Sequence, residues 1–370
     1  MDRAEKIDCR ENGEVIFTGA TIKFQLEKGL TKWTNEKSWK CFFLIGLVCL
    51  FFLNTGCEKS SKTGNRSLPN SKRGNLTIHF QDKLYDLSAK EKGNMWIAGY
   101  YGAIFHSSDG GKHWSRQDSG NSNSLLGIYF MNDREGWAVG DWGTILHTKD
   151  GGAMWEKQRS PVPDQKLLKV QFISEREGWA VGTYGVILRT LDGGARWDRL
   201  PYQEDVTLND LYFLNASEGW VAGEFETILH TTDGGKTWVK QRGGKDGKLF
   251  GIGFRDALNG LAVGTRGKIL FTEDGGKSWK DVKSPTEDTL LKVKFHGRLK
   301  AIAVGLRGAV VQTEDGGKNW SVVLLPGHYT WLSGVAFSKE GIGYLVGDRG
   351  TIFVSIDNGK NWVRLGSYGG

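Results

Sequence analysis

The stretch DREGWAVGDWGTILHTKDGGAMW at 133–155 returns one unit later as EREGWAVGTYGVILRTLDGGARW at 175–197. The tryptophans that close such units are Trp114, Trp155, Trp197, Trp238, Trp279, Trp320 and Trp362, spaced by 41, 42, 41, 41, 41 and 42 residues. A period this regular means a propeller or a solenoid. Each unit offers an apolar first strand (LLGIYF, LLKVQF, LFGIGF), a second ending in Val/Ala-Gly (GWAVG, GWVAG), a third like TILHT and a fourth starting near the terminal Trp. None of these segments has a 3.6-residue apolar period, so four strands per unit read as a propeller blade rather than a helical repeat. The expected fold is all-β, a seven-bladed β-propeller over 76–370. A blade cannot bury both faces alone, so the units stack around an axis. Residues 76–80 (LTIHF) also alternate like a strand, and are expected to pair with the last blade near 361–366, tying the chain ends together.

The composition suits that body: 53 Gly and 15 Trp against 6 Pro imply many turns and many large core anchors. Formal charge is +1 over residues 1–56 and +4 over 57–75, which leaves only +2 of the total +7 for the repeats. A nearly neutral body argues against a nucleic-acid footprint. All four cysteines, Cys9, Cys41, Cys49 and Cys57, precede the repeats, so the propeller holds no internal disulfide and no thiolate metal site. No cofactor is expected.

Residues 41–53, CFFLIGLVCLFFL, form an apolar run behind Lys37 and Lys40 and ahead of NTGC. The run is shorter than the ~20 residues of a bilayer span and reads as a secretory signal. Its end resembles a lipoprotein signal, with Gly56 before a lipid-modified Cys57, although Asn54 stands where an aliphatic residue is usual. An uncleaved anchor and a plain cleaved signal are the alternatives. The acidic stretch before residue 30 is unusual ahead of a signal, and a start at Leu30 is one explanation. Residues 1–56 are thus assigned to extension and signal, and 57–75, polar and basic, to a flexible tether. The expected location is exported and membrane-anchored through Cys57, in the periplasm or cell envelope.

Between the third and fourth strands every unit carries S/T-x-D-G/N-G-x-x-W, with the acids Asp109, Asp150, Asp192, Asp233, Asp274, Asp315 and Asp357. In this Asp-box the carboxylate is expected to accept backbone N–H groups two residues on, a glycine to take positive φ, and the Trp to fill the gap between sheets. Seven equivalent turns mark fold determinants rather than catalytic groups. His106, His147 and His230 recur at one third-strand position. Equivalent positions fan apart on different blades, so no metal site is assigned, and a strand-surface role is expected.

The pattern EGWAVGxxGxILxTxDGGxxW, over about residues 76–366, resembles the photosystem II stability/assembly factor family. The resemblance implies a seven-bladed propeller without catalytic activity that helps assemble membrane protein complexes, lipid-anchored in cyanobacterial members. It also implies a surface arginine cluster.

In a propeller the turns joining strands two and three share one face with the connections between blades, opposite the Asp-boxes. The residue ahead of the second Gly of that turn runs Tyr101, Trp142, Tyr184, Phe225, Arg266, Arg307 and Arg349, with Glu226 replacing the Gly after Phe225. An aromatic arc beside a cationic arc suits an extended peptide or an acidic segment. The expected partner is a membrane-protein or extended-peptide client, bound by a monomer. Aromatics packed on the next blade and solvated arginines are the plain alternative. Asp-box propellers also include glycosidases and sialidases, which need two carboxylates about 5–10 Å apart; Asp164, Glu204 and Asp205 show no such pairing in sequence. A carbohydrate-binding propeller is a third reading.

Overall fold

The computed structural model describes residues 78–79, 81–327 and 331–365, together with the backbone of three short strands at Asp8–Arg10, Glu14–Phe17 and Ala20–Lys23. The chain divides into two compact units, Met1–Asn70 and Ser71–Gly370. In the first, the three short strands form an antiparallel sheet in chain order. The apolar run 41–53 and Cys57 lie outside the described residues. No helix among the described residues is long and apolar enough to cross a membrane.

The second unit is a seven-bladed propeller. Seven antiparallel sheets of four strands each use consecutive strands in order, from blade 1 (Leu84–Ala89 to Ser115–Gln117) to blade 7 (Leu332–Phe337 to Val363–Arg364). The first strand of each blade is innermost. It carries a β-bulge at its second residue in all seven blades, for example between Leu84 and Asp86 and between Leu125 and Gly127. A bulge changes the phase of a strand. Here it lets positions one, four and six (Leu125, Ile128, Phe130) enter the core, while positions three and five line the axis.

The spaces between blades are filled by ordered aromatic stacks. Trp137, on the second strand of blade 2, lies face to face with His147 at 4.7 Å and with Phe172 of blade 3 at 3.5 Å, and the Asp-box Trp197 meets Phe172 edge-on at 5.7 Å. The same order holds for His106–Trp96–Phe130–Trp155 and His230–Trp220–Phe254–Trp279. The three histidines are therefore outer members of inter-blade stacks rather than simple strand-surface residues. Stacked and edge-on contacts suit the ring quadrupoles and add to the area buried.

Each Asp-box is a closed hydrogen-bond knot. In blade 2 the Thr148 hydroxyl donates to Asp150 Oδ1 at 2.8 Å, the Gly152 N–H donates to Thr148 Oγ1 at 2.8 Å, and the Met154 N–H donates to Asp150 Oδ1 at 2.9 Å. The principal backbone donor is thus four residues on, not two, because the two glycines curl the chain back over the carboxylate. These bonds hold the carboxyls of Asp233, Asp274, Asp315 and Asp357 down to about 2.

Ile78 and His79, the described residues of LTIHF, are in no strand, and the expected pairing with the last blade is not seen at them. Among the described residues Val363–Arg364, the outermost strand of blade 7, pairs only with Ile352–Ser355. Ile78 instead enters the core shared by blades 7 and 1 with Leu84, Tyr344 and Ile352, and Gly350 N–H donates to Asp82 C=O at 2.8 Å. The Gly185 N–H makes the equivalent bond to Val206 C=O in the connection from blade 3 to blade 4. The entering chain therefore imitates an inter-blade connection. The reason is topological: it leads straight into the innermost strand, three strands away from the periphery at 361–366.

Candidate functional site

The second-to-third strand turns stand on the face opposite the Asp-boxes. In blade 1 the turn runs Tyr100 to Ala103, closed by Ala103 N–H to Tyr100 C=O at 3.2 Å, with Tyr101 at φ 55° and Gly102 at φ 66°. This is a type I′ turn, whose two central residues both need positive φ and which favours Asn-Gly. The glycine is fixed by its surroundings, since a Cβ at Gly102 would stand 1.8 Å from the Asn121 carbonyl oxygen of the next connection. The residue before it is not glycine in any blade. Tyr101, Trp142, Tyr184, Phe225, Arg266, Arg307 and Arg349 all sit between φ 54° and 57°. A left-handed conformation costs an L-residue about 1–2 kcal/mol, and strain held at equivalent positions points toward use.

Those side chains are not packed on the next blade. Tyr101 is 63% exposed, Trp142 65%, Tyr184 59% and Phe225 54%. Tyr100, the first residue of the blade 1 turn and not singled out by the sequence, adds a fifth exposed ring, tilted 6.1 Å from Tyr101. Arg266, Arg307 and Arg349 are exposed on three consecutive blades. Arg307 lies 3.4 Å from Asp288, an exposed pair that holds a guanidinium weakly, and Arg349 lies 4.0 Å from Asp348.

Where the two arcs meet, blade 4 departs from the pattern. Glu226 takes the glycine position at φ 51° and is buried. Arg242 grips its Oε2 with two nitrogens at 3.0 and 2.6 Å, and Lys268 reaches Oε1 at 3.3 Å. Asp281 completes the group, 2.7 Å from Lys268. Gly247, at φ 149° in the connection GGKDG, leaves the room that the carboxylate fills. The Glu-for-Gly replacement is legible in sequence, but its partners, on the fourth strand and in the next blade, are not. Two left-handed non-glycine residues in succession are thus held by an ion network centred on the buried Glu226 and Arg242 and reaching the surface at Lys268 and Asp281, between Phe225 and Arg266.

A cavity of about 510 Å³ opens beside Tyr184, walled by Arg199, Pro201, Tyr202, Glu204 and Asp205. Burial and the neighbouring Glu204 push the Tyr202 phenol well above its ordinary range. The Glu204 carboxylate is taken by Lys240 at 2.5 Å, and Asp164 is exposed elsewhere, away from this wall. Among the described residues no three His, Cys, Asp or Glu side chains converge as a metal-binding group.

The sequence model of the family described as photosynthesis system II assembly factor YCF48 matches residues 65–160, 116–207, 155–245 and 242–330. No curated protein matches the chain in sequence. Among solved structures, YCF48 bound to D1 peptide is 20% identical over 76% of this chain and 94% of its own, with a TM-score of 0.63. YCF48 from Cyanidioschyzon merolae is 20% identical over 74% and 95%, with a TM-score of 0.62. A GH74 xyloglucanase from Xanthomonas campestris is 12% identical over 78% of this chain and 54% of its own, with a TM-score of 0.65. At these identities the structural likenesses speak for the fold alone.

Proposed function

The chain belongs to the photosynthesis system II assembly factor YCF48 family, and from that premise we propose that it is a non-catalytic, membrane-tethered scaffold whose turn face holds an extended segment of a membrane-protein client. The observation that carries this reading is the set of seven large side chains kept in left-handed turns, four of them exposed aromatics and three exposed arginines. Strain of this kind serves neither packing nor turn closure, for which Asn or Gly is the better residue. Tyr, Trp and Arg are the side chains that dominate interfaces. The family precedent of a YCF48 bound to D1 peptide supports a peptide as the ligand class. The xyloglucanase likeness at 12% identity carries no sugar chemistry with it.

The tether rests on the signal-like run at 41–53 and on Cys57, followed by the polar, basic segment to residue 75. With that tether we infer a scaffold in the periplasm or cell envelope, and we take it to act as a monomer. Cys57→Ser should abolish fatty-acid labelling of the expressed protein, and persistent labelling overturns the anchor.

The client reading is tested by capture from solubilised membranes of the host with the parent chain and with Arg266→Ala/Arg307→Ala/Arg349→Ala. Loss of charge-assisted contacts worth roughly 1.5–3 kcal/mol each should weaken capture by orders of magnitude, after discounting for non-additivity. A folded triple variant that retrieves the same membrane protein as strongly as the parent overturns the arginine arc as the grip.

A further inference from the structure

The axial channel is lined by positions three and five of the innermost strands. Around the ring, position three reads Asp86, Gly127, Lys169, Asp210, Gly251, Lys292, Gly334: Asp-Gly-Lys twice, then one glycine. This layer neutralises itself. Asp86 Oδ2 accepts the Ile128 N–H at 3.1 Å and lies 2.8 Å from Lys169 Nζ. Asp210 Oδ2 accepts the Ile252 N–H at 3.2 Å, and its Oδ1 lies 3.5 Å from Lys292 Nζ. Each carboxylate thus caps a free strand edge in the next blade and pairs with a lysine two blades on. The intervening glycines permit the close approach, since a Cβ at Gly127 would lie 2.9 Å from the Leu168 carbonyl oxygen.

The next layer, toward the Asp-box face, is not neutralised. Ser88 and Gln171 are engaged with the backbone of Phe130 and Phe213 in the neighbouring blades. Lys294 has no carboxylate within ion-pairing distance among the described residues, and the strands on either side of it present Gly253 and Ala336, so space stays open beside its ammonium. At the mouth Lys90 lies 5.3 Å from the Tyr129 ring centroid and likewise has no carboxylate partner among the described residues. Both lysines line one cavity of about 550 Å³ that the Tyr129 and Tyr212 side chains also enter. Burial, then the charge of Lys294, brings Lys90 down to about 8; Lys294, open to the channel, is also lowered, by partial desolvation inside the bore and the charge of Lys169, with Asp210 and Asp86 acting the other way. Two ammonium groups held in one bore repel each other, and an anion between them relieves that repulsion.

We propose that the Asp-box-side mouth of the channel binds a small molecule bearing two or more adjacent oxyanionic groups, held by Lys90 and Lys294 with the phenols of Tyr129 and Tyr212 as neutral donors. The site lies at the opposite end of the bore from the aromatic and arginine turns, and is independent of the client reading.

The test is calorimetric titration of the full chain in detergent with pyrophosphate and, separately, with citrate. Binding of at least one is expected, weakened about tenfold or more by Lys294→Ala and by Lys90→Ala. It should be unchanged in Lys157→Ala, a peripheral lysine, and in the triple arginine variant. Lys294→Gln keeps a polar side chain one bond shorter and without the charge, and replaces the alanine variant if that fails to fold. Tighter binding of pyrophosphate assigns the site to phosphate-bearing ligands, and tighter binding of citrate assigns it to polycarboxylates. The proposal is overturned if neither anion binds, or if binding survives the channel variants or follows the arginine turns.

Discussion

Blades 1–4 and blades 5–7 share one backbone plan but differ both inside and outside. In blades 1–4 the second strand carries Trp96, Trp137, Trp179 and Trp220, each stacked 3.5–3.8 Å from a Phe of the next blade. Each indole N–H donates to an Asp-box glycine carbonyl in that next blade, at 2.9, 3.2, 3.1 and 3.3 Å. In blades 5–7 the same position is Leu261, Ile302 and Tyr344. There Trp320 and Trp362 donate to glycines of their own Asp-boxes, at 3.0 and 3.1 Å. The turn face divides at the same blades, aromatic on the first four and arginine on the last three. Backbone geometry does not follow this division, since the left-handed turn is alike in all seven. The repeat therefore fixes the frame, while the blade-to-blade stitching and the exposed chemistry vary on top of it.

The largest test of that division is in the core. Trp137→Ala removes a stacked ring and its indole hydrogen bond, and should cost about 3–5 kcal/mol by chemical denaturation. Ile302→Val, at the same position in the unstitched sector, should cost about 0.5–1.5 kcal/mol. Equal losses would show that the tryptophan stitching does not distinguish the sectors. On the surface, client affinity should split by salt: the triple arginine variant should flatten its salt dependence, whereas Trp142→Ala with Phe225→Ala should lower affinity and leave the salt slope intact. Two variants with the same slope would merge the arcs into one surface.

Acid should act on all blades alike. The Asp-box carboxyls titrate below their ordinary range in the folded state, several near 2, because they accept backbone and side-chain hydrogen bonds. Their contribution to stability is therefore full above the unfolded value of about 4 and is lost as pH falls through that value toward 2. Melting temperature followed from pH 6 to pH 2 should drop in that window, and Asp150→Asn should make the drop shallower. An unchanged slope in that variant removes the carboxylate from the argument. The smallest effect is in the turns, where Arg266→Gly should be more stable than Arg266→Ala by about 1 kcal/mol, because alanine keeps the left-handed strain and glycine does not. Equal stabilities would mean that the turn carries no such strain.

The propeller, its seven blades and the Asp-boxes are legible along the chain because each depends on contacts repeated within one unit: a two-residue strand period, glycines at turns and a tryptophan every 41 or 42 residues. The two arcs are legible as a list of residue types, for the same reason. Exposure and strain at those residues are not, because a left-handed φ and an outward-facing side chain come from how blades lean on one another. The second-strand tryptophans and the third-strand histidines also escape a reading along the chain, since what they stack on lies in an adjacent strand or the next blade.

What the sequence determined by itself was the repeat unit and hence the ring, because a blade's strands and turns are set by residues close together in the chain. Only the tertiary structure decided how the ring closes, with Ile78 and Asp82 standing in for an inter-blade connection, and which side chains meet across the axis. Asp86 and Lys169 are 83 residues apart in the chain and 2.8 Å apart in space. A bulge one residue long turns their strands to face the bore, and no local pattern records which charges then meet.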